Sequence, residues 1–255
     1  MRKFFAIVSL VALTLSACSK ESANGDEKGE GRVMISCVAE TTVDQTRANI
    51  ECTLPAEGDF ALRIVGVGND YVGDFDSIDV FAENNYLRSG EYQVTATAGD
   101  ITAEGYDKAT FVGVENFTVE ARAEKTVNVT AKIANALVKV ETTEAFNNYF
   151  PGGHTLTLKT AAGNEFDVTA QTDPLFIAPE SFTITGTATK QPNQSGAEGE
   201  VVALPDFKKD ELVAQTLYIV KMDVTTAGQA KLTITLNDTL VDTIDIEQEL
   251  NDYAK

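Results

Sequence analysis

Apolar and polar residues alternate along most of the chain in short runs with a period of two. This alternation is typical of strands that bury one face and expose the other, whereas an amphipathic helix repeats its apolar positions every three or four residues. The runs begin at Phe60, Tyr92, Phe117, Val127, Ala136, Leu156, Phe182, Tyr218 and Leu232. Many short strands separated by Gly and Asn turns predict an all-β protein built from antiparallel sandwiches.

Three local elements stand out in this pattern. The clearest predicted hairpin pairs Leu232–Leu236 with Leu240–Ile246 across an Asn-Asp-Thr turn. One short helix is predicted over Thr143–Tyr149, with threonine at its N-cap and a Pro-Gly stop after it. Lys190–Gly199, which is rich in Gln, Asn, Ser and Gly, predicts a surface loop.

The chain is long enough for two domains of ordinary size, each with its own core. A short connection at Asn135 separates two strand runs and marks the predicted boundary. We therefore expect a first β-sandwich over residues 32–134 and a second over residues 135–255. Two sandwiches joined this tightly predict a semi-rigid rod.

The first residues have the layout of a cleaved bacterial export signal. A basic start, Met1–Lys3, precedes an apolar segment, Phe4–Leu15, that is too short to span a bilayer. Leu15–Cys18 resembles the bacterial lipoprotein processing pattern. That resemblance implies removal of residues 1–17, attachment of diacylglycerol to the Cys18 thiol and acylation of its new amine by a fatty acid such as palmitate. A plain secretory signal with an incidental cysteine is the alternative.

Small and charged residues dominate positions 18–31 and predict a flexible tether. Multiple acyl chains anchor a protein stably, so the predicted partner at this end is the membrane, through the lipid on Cys18. The predicted location is the outer membrane with the body exposed at the cell surface.

Acidic residues outnumber basic ones by 39 to 20, which gives a net charge of −19. Such a body repels phosphate backbones and anionic lipid surfaces. This balance excludes nucleic acid as a predicted partner, and it also favours solubility.

Two cysteines besides Cys18 lie in stretches that both have a strand pattern. If these strands pair across a turn at Asp44–Gln45, Cys37 lies opposite Cys52, and an envelope compartment permits a disulfide between them. Two free thiols in a core are the alternative.

The sequence predicts no catalytic residues, no metal site and no cofactor. His154 is the sole histidine, which excludes a two-histidine metalloprotease motif, and no Gly-x-Ser-x-Gly nucleophile elbow is present. Its place beside two glycines predicts a solvated turn residue. A structural zinc site at Cys37 and Cys52 would need carboxylates to complete it, and this is not favoured.

One acidic loop is a candidate cation site because it offers hard oxygen ligands beside Gly68 and Gly73. Its carboxylates are those of Asp70, Asp74, Asp76 and Asp79. Their spacing does not match the twelve-residue calcium loop, and a solvated acidic loop is the alternative.

Four aromatic residues near the same loop are a candidate stacking platform for a glycan. They are Tyr71, Phe75, Phe81 and Tyr86. Core packing is the alternative, and the absence of tryptophan weakens the glycan hypothesis.

Three segments resemble the Bacteroidota O-glycosylation pattern of Asp followed by Ser or Thr and an apolar residue. The acceptors implied are Ser77, Thr239 and Thr243. One or two such matches arise by chance in a chain this rich in Asp and Thr.

Leu87–Ala96, Gly99, Phe111–Gly113 and Phe117–Val119 carry a resemblance to a Bacteroidales lipoprotein family, domain of unknown function 4493. It is strongest over residues 15–150. The resemblance implies transthyretin- or fimbrillin-like sandwich pairs. Some fimbrillin-related proteins assemble into pili by strand addition after a protease removes the first strand at an arginine. In this chain, Arg47 is the position that matches that cleavage site. The alternative is that Arg47 is an ordinary exposed arginine.

These observations predict a non-enzymatic surface lipoprotein with a structural, adhesive or fimbria-associated role and a protein or glycan partner. The alternative is a glycan- or ligand-binding accessory lipoprotein in nutrient uptake.

Overall fold

The structure is a computed structural model that describes residues 29–42, 50–190, 199–225, 231–237 and, for the backbone, 239–245. Strands dominate it, and the predicted all-β class is confirmed. No helix in the described ranges is both long and apolar enough to cross a bilayer.

In the N-terminal half, as we call residues 29–133, the described residues form eight strands and one short α-helix. Its strands are β1 (Glu30–Glu40), β2 (Ala61–Val67), β3 (Val72–Phe75), β4 (Tyr86–Arg88), β5 (Gly90–Ala98), β6 (Gly105–Tyr106), β7 (Phe111–Val119) and β8 (Glu124–Ile133). Helix α1 (Ile78–Glu83) begins after Ser77, whose side chain accepts a hydrogen bond from the Val80 amide.

In the C-terminal half, residues 136–245, the part that the structure describes forms nine strands and helix α2 (Glu144–Tyr149). Its strands are β9 (Ala136–Thr142), β10 (His154–Thr160), β11 (Glu165–Asp167), β12 (Leu175–Ile177), β13 (Ser181–Thr189), β14 (Val201–Asp210), β15 (Leu217–Thr225), β16 (Lys231–Leu236) and β17 (Thr239–Asp245).

Seven strands of the N-terminal half form one sheet in the order β3-β2-β5-β7-β8-β1-β4. β7 and β8 pair at only two positions, Phe111 with Ile133 and Val112 with Lys132. The sheet therefore bends there into two layers whose alternate residues fill one core. Gly113 lies at the bend, where a Cβ would be 2.6 Å from a Val129 methyl carbon, so a side chain would force the layers apart.

The C-terminal half packs a six-stranded sheet, β17-β16-β15-β9-β12-β6, with a four-stranded sheet, β11-β10-β13-β14. Their inward residues form a second core, which includes Val140, Leu158, Ile184 and Val220. Each residue is at most 3% exposed, as expected for strands that bury one face.

Among the described strands, each half also has one parallel pair that the prediction of antiparallel sheets did not include. β1 pairs in parallel with β8, and β9 pairs in parallel with β15. β1 has β4 as its other neighbour, so the predicted hairpin that places Cys37 opposite Cys52 is wrong. Cys37 lies opposite Val129, and Cys52 is outside the strands.

The predicted helix and the predicted C-terminal hairpin are both confirmed. Thr143 caps α2 by accepting a hydrogen bond from the Phe146 amide, and the helix ends before Phe150. β16 and β17 pair antiparallel, with Leu232 opposite Ile244. Of the predicted surface loop, residues 191–198 lie outside the described residues.

The two halves interlock at their junction. β6, from the N-terminal half, pairs with β12 in the sheet of the C-terminal half. The Glu104 carboxylate accepts hydrogen bonds from the Thr160 hydroxyl, the Asn164 side-chain amide and the Ala178 backbone amide, at 2.6, 2.8 and 3.0 Å. The buried side chains of Leu137, Phe176 and Leu217 join the core of the N-terminal half. Asn135, the predicted boundary, lies between β8 and β9, and the division into domains there stays a prediction.

Candidate functional site

A cleft at one end of the N-terminal half is the best candidate for a binding site. Its volume is about 630 Å³. We call it the tyrosine cleft, and it is lined by Glu30, Asn69, Asp70, Tyr71, Tyr86, Leu87, Arg88, Ser89 and Tyr92.

The strand register places this cleft at the end of the sandwich opposite the junction. Glu30 opens β1 and lies beside Arg88 of β4, while β1 ends at Glu40 after eleven residues, or about 35 Å. β8 runs in the same direction and ends next to the C-terminal half. The described part of the chain therefore begins at the cleft, where the Ser89 amide donates a hydrogen bond to the Gly29 carbonyl.

Packed aromatic rings form the floor of the cleft. Tyr92 is 2% exposed and stacks on Phe117 with ring centroids 5.6 Å apart, and Tyr71 meets Tyr92 edge-on at the same distance. The Tyr92 hydroxyl donates a hydrogen bond to the Arg88 carbonyl at 2.8 Å. Burial raises the pKa of Tyr71 and of Tyr92, so both hydroxyls keep their protons at neutral pH.

Polar side chains form the rim. The Asn69 carboxamide oxygen accepts a hydrogen bond from the Tyr71 amide, which closes a tight turn beside Asp70. Arg88 is exposed and makes no ion pair with any described residue. The rim therefore offers hydrogen-bond donors and acceptors around an aromatic floor.

Two of the four aromatic residues predicted as a glycan platform line the cleft. These are Tyr71 and Tyr86, and Tyr86 is 55% exposed. Phe75 and Phe81 pack against each other, with centroids 5.1 Å apart, and do not line it. Sequence reasoning missed Tyr92, although it belongs to the Leu87–Ala96 motif that carried the family resemblance.

The predicted cation loop is distributed over several elements. Asp70 lies at the cleft rim, Asp74 in β3, Asp76 in a bend, and Asp79 in the first turn of α1. Asp74 forms an ion pair with Arg63 at 2.8 Å. No group of three or more His, Cys, Asp or Glu residues that could hold a metal occurs in the described ranges, so the structure does not bring these four carboxylates together as ligands.

His154 is not the solvated turn residue that the sequence suggested. It is the first residue of β10, and its ring meets Phe146 edge-on with centroids 5.1 Å apart. Its Nε2 is buried and has no hydrogen-bond partner in the described structure, so no serine or cysteine nucleophile is bonded to that nitrogen.

Cys37 and Cys52 are both free thiols in the structure. Cys37 is buried in the first core, and burial raises its pKa from 9.0 to about 11, because the thiolate would lose its hydration there. Burial and the carboxylate of Asp107 raise the pKa of Cys52. The disulfide stays a prediction, which a thiol assay on unfolded, unreduced protein tests.

The raised pKa of Cys37 predicts a loss of stability at alkaline pH. The native chain holds this proton more tightly than the unfolded chain, so the stabilisation is complete below pH 9 and is lost as the pH rises through 11. We expect the free energy of unfolding in reductant to fall by roughly 2–3 kcal/mol over that interval from this thiol. Urea titrations of wild type and Cys37→Ala at several pH values measure this loss. If the free energy of unfolding fell equally with pH in the two proteins, the assignment to Cys37 would be contradicted.

Of the remaining predicted sites, some lie in described elements and others lie outside the described residues. Ser77 is half-buried and already caps α1, so a glycan there would compete with the cap. Thr239 and Thr243 lie in β17, at an edge of the six-stranded sheet. Cys18 and Arg47 lie outside the described residues. All five assignments stay predictions.

Comparisons with known proteins give one family match. The model of a domain of unknown function, DUF4493, matches residues 29–252, which extends the sequence resemblance through the C-terminal half. None of the curated proteins matches the chain.

Several solved structures are similar to this chain at low identity. A proposed polysaccharide-binding protein from Bacteroides thetaiotaomicron is 11% identical, with a TM-score of 0.38, over 84% of this chain and 98% of that one. Proposed cell adhesion proteins from Bacteroides eggerthii and Bacteroides ovatus are 8% and 12% identical, with TM-scores of 0.39 and 0.37, over 84% of this chain and 97% of each.

Proposed function

The chain belongs to the DUF4493 family, and for this member we propose a non-enzymatic role as a surface lipoprotein, anchored through lipid on Cys18 and serving as an adhesive, structural or fimbria-associated module. The observation that carries this proposal is the tyrosine cleft, which offers an aromatic floor with polar side chains at its rim as a binding surface. Its polar groups are Asn, Asp, Glu, Arg and Ser side chains around tyrosines, and the sole histidine lies in the other half of the molecule.

The position of the cleft relative to Cys18 limits how far from the membrane its ligands can lie. Twelve residues, Cys18–Gly29, connect the lipid site to the body and span at most about 40 Å when fully extended. The cleft lies where this segment joins β1, so a lipid on Cys18 would keep it close to the envelope. The C-terminal half lies at the far end of the sandwich from the cleft. We infer that the cleft serves ligands held near the membrane and that the C-terminal half projects outward.

Protease treatment of intact cells tests the surface location. We expect an added protease to digest the body without lysis, while a periplasmic marker protein stays intact. Full protection of the body, with digestion only after lysis, would contradict the proposal and indicate a periplasmic role.

The cleft also favours a second candidate, a glycan- or ligand-binding accessory lipoprotein in nutrient uptake. A ligand that binds the native state alone raises the melting temperature by mass action. An accessory protein is therefore expected to be a monomer whose melting temperature a sugar raises. A fimbrial module is instead expected to form oligomers that resist detergent and appear as a ladder of bands on a gel.

A further inference from the structure

The tyrosine cleft has an exposed aromatic face beside groups of both charges. We propose that it binds a neutral saccharide, with one pyranose ring stacked on Tyr86 and its hydroxyl groups bonded to Asn69, Asp70 and Arg88. This inference rests on the proposed function as a surface-binding protein and names the ligand class of its cleft.

Tyr86 supplies the stacking face. More than half of its surface is exposed, and it makes no ring contact with another aromatic side chain in the described residues. A tyrosine ring is apolar on its faces and polar at its hydroxyl, so a partner with an apolar C–H face and polar edges covers it best. A pyranose ring has this character.

The rim groups suit hydroxyls better than they suit an ion. A sugar hydroxyl both donates and accepts hydrogen bonds, and Arg88 donates only, Asp70 accepts only, and Asn69 does both. An anionic ligand would meet the carboxylates of Glu30 and Asp70, and a cationic ligand would meet the unpaired Arg88. The mixed charges therefore favour a neutral ligand.

The two rim segments are already held in place before any ligand arrives. The Tyr71 amide fixes the side chain of Asn69 at 3.0 Å, and the Tyr92 hydroxyl fixes the backbone at Arg88. A site held in this way loses little conformational entropy on binding. Its volume of about 630 Å³ lies within the usual range for small-ligand sites and leaves room for a short oligosaccharide.

Affinity electrophoresis of the full chain tests the proposal. Native gels would contain soluble starch, dextran or galactomannan as neutral probes, polygalacturonate as an acidic probe, or chitosan as a cationic probe. We expect at least one neutral polysaccharide to slow migration, and Tyr86→Ala to bind it about tenfold more weakly. Tyr86→Phe keeps the ring and should bind like wild type. Val72→Ala is the matched control, because Val72 is also 55% exposed but does not line the cleft.

Three results would overturn the saccharide site. They are retardation by polygalacturonate or chitosan alone, retardation by a neutral polymer that Tyr86→Ala leaves unchanged, and no retardation by any polymer. Lipid labelling and surface digestion of the same protein distinguish the two proposals. If both are positive while the gels are negative, the surface lipoprotein proposal stands and only the saccharide site is lost.

Discussion

Removal of β1 is expected to abolish cooperative folding of the N-terminal half. β1 lies between β8 and β4 in the sheet and pairs with β8 over nine residues. It also places Val33, Ile35 and Cys37 in the core, at 0%, 8% and 5% exposure. Its loss would leave two strands with unpaired backbone groups and would open the core to water.

The expected effect is as large as the stability of a domain. Burial of one such side chain contributes about 1.5–3 kcal/mol, so three of them contribute roughly 4.5–9 kcal/mol. A typical domain is stable by only about 5–15 kcal/mol. The loss of the backbone hydrogen bonds between β1 and its neighbours destabilises the half further, so the truncated half should not stay folded by itself.

Two truncated chains measure this effect. A chain that starts at Gly29 keeps β1 and should unfold in urea like the full body, whereas a chain that starts at Ala48 should lack the native signal of the N-terminal half. A synthetic peptide of residues 29–40 should restore that signal by strand addition. Equal urea midpoints for the two chains would contradict the role assigned to β1.

This result bears on Arg47, the position that resembles a fimbrillin processing site. It follows the end of β1 by seven residues, so cleavage there would separate β1 from the remainder of the chain. A groove between β8 and β4 that accepts the strand of another molecule is what a fimbria-associated role requires. Rescue by the peptide would support that role, and irreversible aggregation without rescue would count against it.

Phe176→Ala is expected to uncouple the two halves. Phe176 belongs to β12 of the C-terminal half, but its side chain, 2% exposed, packs in the core of the N-terminal half. Loss of a buried phenylalanine costs about 3–5 kcal/mol. The wild type should melt in one transition because the halves share core residues, and the variant should melt in two.

Phe182→Ala is the matched control for this change. Phe182 is 1% exposed and lies in the C-terminal core alone. Phe182→Ala should lower the melting temperature by a similar amount, but the protein should still melt in a single transition. Calorimetry measures both variants. A single transition for Phe176→Ala, or two transitions for wild type, would contradict the coupling described above.

Local patterns predicted local structure well. Alternation identified the inward faces because each strand has a period of two, as at Tyr92, Val94 and Ala96, which are all at most 2% exposed. The helix α2 followed from a capping threonine and a Pro-Gly stop, and the last hairpin followed from two alternating runs beside a turn.

Pairings between distant strands did not follow from the sequence. β1 and β8 are more than 80 residues apart, and neither strand's own pattern states that they pair in parallel. β6 has only two residues, which is too short for a period to show, although it joins the sheet of the other half. The predicted hairpin with Cys37 opposite Cys52 was wrong for the same reason. Both segments have an alternating pattern, but the strand that contains Cys37 pairs with β8 and β4 instead.

The candidate site was half predicted. The sequence singled out Tyr71 and Tyr86 as neighbours in one region, and both line the cleft. Glu30 and Arg88 were missed because they meet only through the register of β1 and β4. The acidic residues are close together in sequence and predict a single loop, but in the structure they are divided between the cleft rim, β3, a bend and α1.

The central claim is that lipid on Cys18 attaches this β-sandwich body to the envelope. Growth in radiolabelled palmitate, followed by isolation of the protein and separation into detergent and aqueous phases, tests it most directly. We expect label in the wild-type protein, partition into detergent, and loss of both in Cys18→Ser. Wild-type protein without label in the aqueous phase would contradict the account.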